Sequence, residues 1–181
     1  MPVVDLIRHG EPDINVHDDF QRPLTAHGQV QAQRLTKLLA SVPYMAVFSS
    51  PLIRAIRTVQ PVALAHGLKA QTSNLLVERK MPVWFEDGQE FTDYVERQWS
   101  DFTFAKNGGE SLKQAQTRYV QFISRLDETA VAAVGSHGTV MSTIYELVHP
   151  GMGFVFWQRL PYAAVLRVKL KHGAFIRAEL L

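Results

Sequence analysis

The chain has 181 residues, of which 46% are hydrophobic and 20% are charged, and it contains no cysteine. These values predict one globular domain that buries roughly 70% of the surface of the unfolded chain. The net charge of +2 and the scattered basic residues argue against nucleic acids or membranes as partners, and the lack of cysteine excludes disulfides, thiolate catalysis and cysteine-ligated metals.

The first predicted elements are a strand and a helix joined by a loop. Residues 3–7 are apolar apart from one aspartate and barely alternate in polarity, which indicates a strand buried on both faces. Residues 12–24 are polar and contain prolines, so they predict a loop. Thr25 is the expected N-cap of a helix that runs to about residue 39. The apolar stripe of this helix is expected to be Val30, Leu35, Leu38 and Leu39.

A second strand and helix follow, and then a third strand. Residues 45–48 predict the strand, and Ser50 and Pro51 predict the start of the helix as its cap and its first residue. Pro61 is expected to kink or interrupt this helix, because proline lacks the N–H that a helix interior needs. The third strand is expected within residues 69–77.

An aromatic and acidic segment, residues 81–110, follows the third predicted strand. Aromatic residues of 91–102 recur at helical spacing, which indicates core packing. Trp84 and Phe85 precede that pattern and are the better candidates for lining a cleft. The elements that follow are a helix from Ser111 to about residue 126, a strand over 130–135, a helix over 139–148 and a hairpin of strands 164–170 and 175–180.

This alternation predicts an α/β fold, a three-layer α/β/α sandwich with a mostly parallel mixed sheet, in a single domain over residues 1–181. Ligands of such sheets bind at the carboxyl ends of the strands. Chemically reactive side chains follow several predicted strands at these ends. They are Arg8 and His9 after the first strand with Asn15 in the loop beyond, Arg54 after the second, Glu78 after the third and His137 after the fourth.

The residue types in this set suit phosphoryl transfer. The transition state spreads negative charge over three equatorial oxygens, with the attacking and leaving atoms in line. His9 is the candidate nucleophile if its imidazole stays neutral, and Arg8 and Arg54 would lower its pKa while offering forked donors to phosphate. His137 would complete the ring of donors, and a partly buried Glu78 would protonate the leaving oxygen and then activate water. No metal or cofactor is expected, because the arginines supply the positive charge.

Five segments, in this order and at this spacing, resemble the histidine phosphatase superfamily, the phosphoglycerate mutase-like group. The similarity extends from the first strand to the helix after His137. Pro12 departs from the pattern, since relatives often carry serine or threonine there. The segments are Leu6-Ile7-Arg8-His9-Gly10-Glu11 with Asn15, Ser49-Ser50-Pro51-Leu52-Ile53-Arg54-Ala55 with Thr58, Leu76-Val77-Glu78-Arg79, Gly108-Gly109-Glu110-Ser111, and Ser136-His137-Gly138.

The resemblance implies a phosphoglycerate mutase-like fold and a phosphohistidine intermediate on His9. It implies that Glu78 is the proton donor. Within the single domain, residues of about 79–110 are expected to form a small insertion that covers the substrate. The resemblance also implies a phosphate pocket that consists of Arg8, Asn15, Arg54 and His137.

Other interpretations of single residues stay open. His9, His137 and Glu78 also match a zinc set of two histidines and one carboxylate, although two arginines in the same pocket would repel a dication. The carboxylates that compete with Glu78 for the acid role are Glu11, Glu86, Asp87 and Glu110. The histidines expected only at the surface or at caps are His17, His27, His66, His149 and His172.

A phosphatase of a small phosphorylated metabolite is favoured over a mutase. A mutase must bind two anionic groups and keep water from the phosphohistidine, but residues 81–105 hold a single basic residue, Arg97, among many acidic ones. The alternatives are a phosphoglycerate mutase-type transferase, a protein phosphohistidine phosphatase and a catalytically idle phosphate-binding module. The sequence does not identify the leaving group.

Location and assembly are the last expectations. A cytoplasmic protein is expected, because no signal segment and no apolar stretch of membrane-spanning length occur. A homodimer is left open, since the C-terminal hairpin can either complete the sheet of its own chain or pair with a second chain.

Overall fold

The computed structural model describes residues 1–181 as one six-stranded sheet with helices on both faces. None of the helices combines the length and the apolar character that a membrane crossing needs. The strands are β1 (Val3–Arg8), β2 (Ala46–Ser49), β3 (Ala70–Thr72), β4 (Val131–Ser136), β5 (Val165–Lys171) and β6 (Ala174–Leu180). The helices are α1 (Ala26–Leu38), α2 (Ile53–Ala65), α3 (Gly88–Ser100), α4 (Leu112–Ile123), α5 (Gly138–Val148) and α6 (Gly153–Arg159), and a 3₁₀ turn spans Asn74–Leu76.

The strands are ordered β3-β2-β4-β1-β5-β6 across the sheet. The strands β1 to β4 are mutually parallel, whereas β5 runs antiparallel to β1 and β6 antiparallel to β5. The predicted three-layer sandwich with a mostly parallel mixed sheet is therefore confirmed. Because the parallel strands all end at one edge, the residues that follow β1, β2 and β4 meet there with those that precede β5.

The two faces of β1 pack against different helices, which makes it the centre of the fold. Val4 and Leu6 belong to the core shared with α4 and α5, and Ile7 belongs to the core shared with α1 and α2. Alternate residues of a strand point to opposite faces, so a strand covered on both sides is apolar throughout. The helices hold β1, and hence the residues after it, from both sides.

Asp5 lies in the middle of β1 and is completely buried. Arg167 of β5 donates two hydrogen bonds to its carboxylate, at 2.8 and 2.7 Å, and the hydroxyl of Tyr44 donates another at 2.5 Å. A buried carboxylate is tolerated when it is paired and hydrogen-bonded in this way. The network ties β1 to β5 and to the loop before β2.

The third strand is shorter than predicted. The strand β3 ends at Thr72, and the 3₁₀ turn Asn74–Leu76 replaces the second half of the expected strand over 69–77. Ser73 starts this turn by accepting a hydrogen bond from the N–H of Leu75, so a local side-chain contact competes with pairing to β2. Glu78 consequently follows a turn and an extended residue instead of a strand.

Helix α1 begins where expected, but the predicted apolar stripe is wrong at two positions. Thr25 caps the helix by accepting a hydrogen bond from the N–H of Gly28 at 3.0 Å. Val30 and Leu38 are 48% and 56% exposed. Small residues, which the stripe left out, let α1 approach its neighbours closely. The buried positions are Gly28, Ala32, Leu35 and Leu39.

Helix α2 begins two residues later than predicted, with Leu52 at its N-cap, while Ser50 accepts a hydrogen bond from the N–H of Leu52 in the turn before it. Pro61 lies inside the helix, which continues to Ala65, so the expected interruption does not occur. Proline removes one backbone hydrogen bond, and the packing of α2 against α1 and the sheet outweighs this local loss.

The C-terminal region contains the predicted hairpin and a helix that was not predicted. His172 and Gly173 both adopt positive φ, 50° and 77°, as a two-residue turn between twisted strands requires. The helix α6 was missed because its seven residues are too few for an apolar period to stand out.

Gly10 and Gly28 allow the loop after β1 to lie directly on α1. A Cβ on Gly10 would lie 2.6 Å from the carbonyl oxygen of Gly28, and a Cβ on Gly28 would lie 2.2 Å from the carbonyl oxygen of Glu11. Both distances are far below van der Waals contact, so neither position accepts a side chain. This contact places the residue that precedes Gly10.

Candidate active site

His9 follows β1 directly and lies at the edge where β1, β4 and β2 end. Its backbone N–H donates to the carbonyl of Ser136 at 3.0 Å, which continues the β1–β4 pairing by one residue. The next N–H, that of Gly10, donates to the hydroxyl of Thr58 on α2 at 2.9 Å. Backbone contacts to the sheet and to a helix therefore fix His9 before any side-chain contact is considered.

The imidazole of His9 is held in one tautomer. Its Nδ1 lies 2.8 Å from the carbonyl oxygen of Gly10, and since a carbonyl only accepts, Nδ1 carries the proton. In a neutral ring, Nε2 then has a free lone pair. The ring is 7% exposed and lies 5.4 Å from that of His137, centroid to centroid.

Burial keeps this imidazole neutral. Loss of solvent, together with the positive charges of Arg54 and Arg8, lowers the pKa of His9 to about 3, although the hydrogen bond to Gly10 acts in the opposite direction. The same causes, burial first and then Arg54, hold the pKa of His137 well below its ordinary value. Both rings are therefore uncharged at neutral pH.

These two histidines should make the protein sensitive to acid. Below the ordinary histidine pKa of about 6.5, the unfolded chain binds protons that the folded protein does not bind. The free energy of unfolding therefore decreases as the pH is lowered. Asparagine does not titrate. As the pH is lowered from roughly 5.5 to 4, we therefore expect the free energy of unfolding of His9→Asn to decrease by about 1.4 kcal/mol less per pH unit than that of the parent. Denaturant unfolding at a series of pH values measures this slope. For His172→Asn, a change at an exposed position, the free energy of unfolding should depend on pH as it does in the parent. The same pH dependence for His9→Asn as for the parent would contradict the expectation.

Arg8, the last residue of β1, directs its guanidinium into the same site. Nη1 donates to the carbonyl of Leu160, just before β5, and the guanidinium carbon lies 4.4 Å from the centre of the Tyr162 ring. Its Nε is buried and has no hydrogen-bond partner. A Cβ on Gly138 would lie 3.2 Å from this guanidinium, so glycine at that position lets Arg8 lie against the start of α5.

Arg54 enters from the first turn of α2 and is 3% exposed. Asp19, in the loop between β1 and α1, accepts one hydrogen bond from it and forms an ion pair with it. Nη1 lies 2.6 Å from the Asp19 carbonyl oxygen, and Nη2 lies 3.0 Å from the carboxylate. A buried guanidinium requires such a partner, and the remaining N–H groups are free to bind an anion.

His137 is the N-cap residue of α5, yet its side chain does not cap the helix. The ring is completely buried, and neither nitrogen has a hydrogen-bond partner. An unpartnered buried polar group costs about 1–3 kcal/mol. A ring kept in this state beside His9 can bind a ligand oxygen.

Glu78 supplies the cap that His137 does not. Its carboxylate accepts hydrogen bonds from the backbone N–H groups of Thr139 and Val140 at 3.0 and 3.3 Å, and from that of Arg79 at 2.7 Å. The first two are among the unpaired N–H groups at the start of α5. The half-buried carboxylate is thereby fixed next to His137.

Glu78 and Arg79 are adjacent in the chain, and neither lies in a strand. Their side chains nevertheless point apart. The guanidinium of Arg79 hydrogen-bonds Gln98 and lies 5.9 Å from the ring of Tyr94, within the segment around α3.

Other candidate acids are engaged elsewhere. Glu11 binds Thr25 and His27, Asp87 caps α3, and Glu110 forms an ion pair with Arg118. Glu86 is exposed in the loop before α3. Glu78 is the carboxylate that reaches the edge where His137 lies.

Asn15 is the one predicted site residue that the structure does not bring to the others. It is exposed, and its amide donates to the carboxylate of Asp13 at 2.9 Å within the loop before α1. A role of Asn15 in phosphate binding stays a prediction.

The zinc interpretation has no support in the arrangement of these groups. No cluster of three or more histidine, aspartate or glutamate side chains is arranged to hold a metal ion. The carboxylate of Glu78 is occupied by three N–H donors, and Arg8 and Arg54 bring positive charge to both histidines.

The chain is similar in sequence to a known protein family. The family model of the histidine phosphatase superfamily, branch 1, matches residues 4–179. The protein belongs to this superfamily. Its fold is accordingly the phosphoglycerate mutase-like fold, as the resemblance implied, and the chain is an enzyme of the superfamily.

Individual relatives of the protein include both phosphatases and a mutase. Fructose-2,6-bisphosphatase TIGAR B from Danio rerio is 26% identical over 187 residues, which cover 95% of this chain and 70% of the relative. A 2,3-bisphosphoglycerate-dependent phosphoglycerate mutase 2 from Gloeobacter violaceus is 26% identical over 168 residues, covering 82% and 77%. The structure of a mycobacterial glucosyl-3-phosphoglycerate phosphatase matches with a TM-score of 0.76 and 21% identity, covering 98% of this chain and 96% of that one.

Two residues near the candidate site were not predicted from the sequence. Tyr162 lies 5.8 Å from His9 between ring centres, and the positive charge of Arg22 contributes to the lowered pKa of His9. Tyr162 precedes β5, which is antiparallel to β1, so its position at this edge was open to prediction. Arg22 lies in the irregular loop before α1, where no periodic signal exists.

The two aromatic residues expected to line a cleft, Trp84 and Phe85, lie in different surroundings. Trp84 is 44% exposed and stacks on His17 with ring centres 4.3 Å apart, while the Arg22 guanidinium lies 5.0 Å from the Trp84 ring. It joins the segment before α3 to the loop before α1. Phe85 instead packs against Tyr94, 5.4 Å away, in the interior of its own segment.

Proposed function

We propose that the protein hydrolyses phosphomonoesters of a small metabolite through a phosphohistidine intermediate on His9. The observation that carries this proposal is the neutral, buried imidazole whose Nε2 is free, beside the guanidinium groups of Arg8 and Arg54 and the ring of His137. A neutral nitrogen nucleophile next to several cationic and N–H donors suits attack on a phosphate dianion.

In the first step, the lone pair of His9 Nε2 forms a bond to phosphorus, and the bond from phosphorus to the leaving oxygen breaks. Glu78 donates a proton to that oxygen. The ring becomes positively charged, and its Nδ1–H, which already donates to Gly10, stabilises that charge.

In the second step, water attacks the phosphorus of the phosphohistidine. Glu78 accepts the proton of this water, the bond between nitrogen and phosphorus breaks, and inorganic phosphate leaves. Nε2 recovers its lone pair, so both groups return to their starting state.

The charges around the site favour hydrolysis over a mutase reaction. Three of the four basic residues of 79–110 lie on aromatic rings of their own segment, at 5.9 Å for Arg79 on Tyr94, 4.0 Å for Arg97 on Phe104 and 5.6 Å for Lys106 on Phe85, and the fourth, Lys80, is exposed. They are therefore not gathered as a pocket for a second anionic group. We propose the same segment as the insertion that partly covers the substrate, with Trp84 as its contact to the loop before α1.

We also propose that the reaction needs no metal, that the protein is cytoplasmic and that it binds neither nucleic acids nor membranes. Two guanidinium groups supply the charge that a metal would otherwise provide. A homodimer through the C-terminal hairpin remains a proposal that rests on the edge position of β6.

Turnover of a panel of phosphomonoesters in the presence of a chelator tests the proposed function. The panel contains sugar phosphates, aryl and alkyl phosphates, a phosphohistidine peptide, and 3-phosphoglycerate with and without the bisphosphate primer. We expect phosphate release from several small monoesters without added metal, and an acid-labile phosphoenzyme after rapid quenching. Activity confined to the primed 3-phosphoglycerate reaction would establish a mutase, and turnover that requires a divalent metal would overturn the mechanism.

A further inference from the structure

We propose that Arg118 is a positioning residue for Glu78, and that it acts together with Glu110. This inference rests on the proposed role of Glu78 as proton donor. Arg118 lies on α4, and its guanidinium donates to the carbonyls of Leu75, Val77 and Glu78 at 2.9, 2.6 and 3.0 Å. One side chain thus binds the backbone on both sides of the point where the Glu78 side chain emerges.

Glu110 completes this arrangement. It accepts hydrogen bonds from Nε and Nη2 of Arg118, both at 2.7 Å, so the guanidinium is held in a forked ion pair. The backbone N–H of Glu110 also donates to the carbonyl of Lys80 at 2.9 Å, and its carboxylate accepts from the N–H of Lys80 at 3.2 Å. The chain is therefore held two residues beyond Glu78 as well.

No regular backbone hydrogen-bonding pattern holds this segment. Between the 3₁₀ turn that ends at Leu76 and the start of α3 at Gly88, the chain forms no helix or strand. Backbone of this kind is mobile unless other groups satisfy its hydrogen bonds. Arg118 and Glu110 are 14% and 18% exposed at their side chains, so their ion pair is largely shielded from water.

The Glu78 carboxyl group can act as the proton donor only if it is correctly positioned. Proton transfer to a leaving oxygen requires the donor within hydrogen-bond distance, and a displacement of about 1 Å removes most of the benefit. Arg118 touches only the backbone of Glu78, which leaves the carboxylate oxygens to the N–H groups of α5 and to the substrate. The role of Glu110 also explains the Gly108-Gly109-Glu110-Ser111 segment, whose serine caps α4 while its glutamate holds Arg118.

The test compares two substrates that differ in their need for a proton. A 4-nitrophenyl phosphate has a stable leaving anion and needs little protonation, whereas an alkyl phosphate releases a poor leaving group that needs a proton. We expect Arg118→Lys, which keeps the charge but loses the planar fork, to lower kcat/KM for the alkyl phosphate about 10²-fold and for the nitrophenyl ester less than about 3-fold. The ratio kcat/KM is the quantity to compare, because it reports the step in which the leaving group departs and not the later hydrolysis of the phosphohistidine, which is common to both substrates. Inhibition by inorganic phosphate should be unchanged.

Glu110→Gln should show the same dependence on the leaving group to a smaller extent, and it serves as the second variant if Arg118→Lys fails to fold. Arg125→Lys, an exposed arginine just beyond α4, is the matched control and should leave both rates unchanged. The double variant Glu78→Gln/Arg118→Lys should lose no more activity than Glu78→Gln alone, because both changes impair the same proton transfer.

The outcomes separate the two proposals. If Glu78→Gln lowers kcat/KM equally for the two substrates, Glu78 is not the proton donor, and the proposed function is revised. If Glu78→Gln shows the dependence on the leaving group but folded Arg118→Lys and Glu110→Gln lower kcat/KM equally for the two substrates or not at all, the positioning role of Arg118 is wrong.

Discussion

His9→Asn is expected to lower kcat/KM for every accepted phosphomonoester by at least about 10⁴-fold, because it removes the nucleophile and with it the covalent route. Asparagine is similar in size, carries no charge, and retains an N–H that can donate to the carbonyl of Gly10. The loss therefore reports on Nε2 and not on packing. Steady-state hydrolysis and rapid-quench labelling with a radioactive phosphate donor measure the effect, and the acid-labile label should vanish together with turnover.

His172→Asn is the matched control for this experiment. It makes the same chemical change in the exposed turn between β5 and β6, where the positive φ of 50° is one that asparagine tolerates. We expect parental activity and labelling from it. Retention of the acid-labile label by His9→Asn would place the nucleophile elsewhere and would end the assignment made from the geometry of the Gly10 hydrogen bond.

Arg54→Lys is the second change with a large expected effect, a loss of roughly 10²–10³-fold in kcat/KM. Lysine keeps the positive charge but loses the fork that can bind Asp19 and a phosphate at once. Because the phosphate is bound in both the ground state and the transition state, inhibition by inorganic phosphate should weaken as well. Hydrolysis rates and the inhibition constant for phosphate, measured on the same preparation, give both quantities.

Arg57→Lys provides the comparison, since Arg57 lies one turn further along α2 and is exposed. It should retain parental rates and phosphate inhibition. An Arg54→Lys variant that loses no more activity than Arg57→Lys would exclude Arg54 from the phosphate pocket, whatever its burial.

The elements that sequence predicted well are those whose signals are local. The apolar run of β1, the Thr25 and Ser111 caps and the two-residue turn of the hairpin each depend on residues close in the chain. Errors arose where packing between distant segments decided the outcome. The small residues of α1, not its large apolar ones, face its neighbours, and Pro61 stays inside a helix because α2 packs along its length.

For the candidate site, residue types and strand ends sufficed to predict that His9, Arg8, Arg54 and His137 lie close together, because parallel strands end at a common edge. The same reasoning selected Glu78 on a wrong premise, since it follows a 3₁₀ turn. Its position depends on N–H groups of α5 and on Arg118, which lies forty residues later in the chain. No local pattern encodes such contacts.

The amino-acid sequence by itself determined the fold class, the superfamily and the chemical identity of the central groups, because these follow from periodicity, strand ends and motif order. Only the tertiary structure decided the tautomer of His9, the unpartnered ring of His137 and the contacts of Glu78. Those properties depend on burial and on hydrogen bonds between segments far apart in the chain, and burial is what keeps the imidazole of His9 neutral.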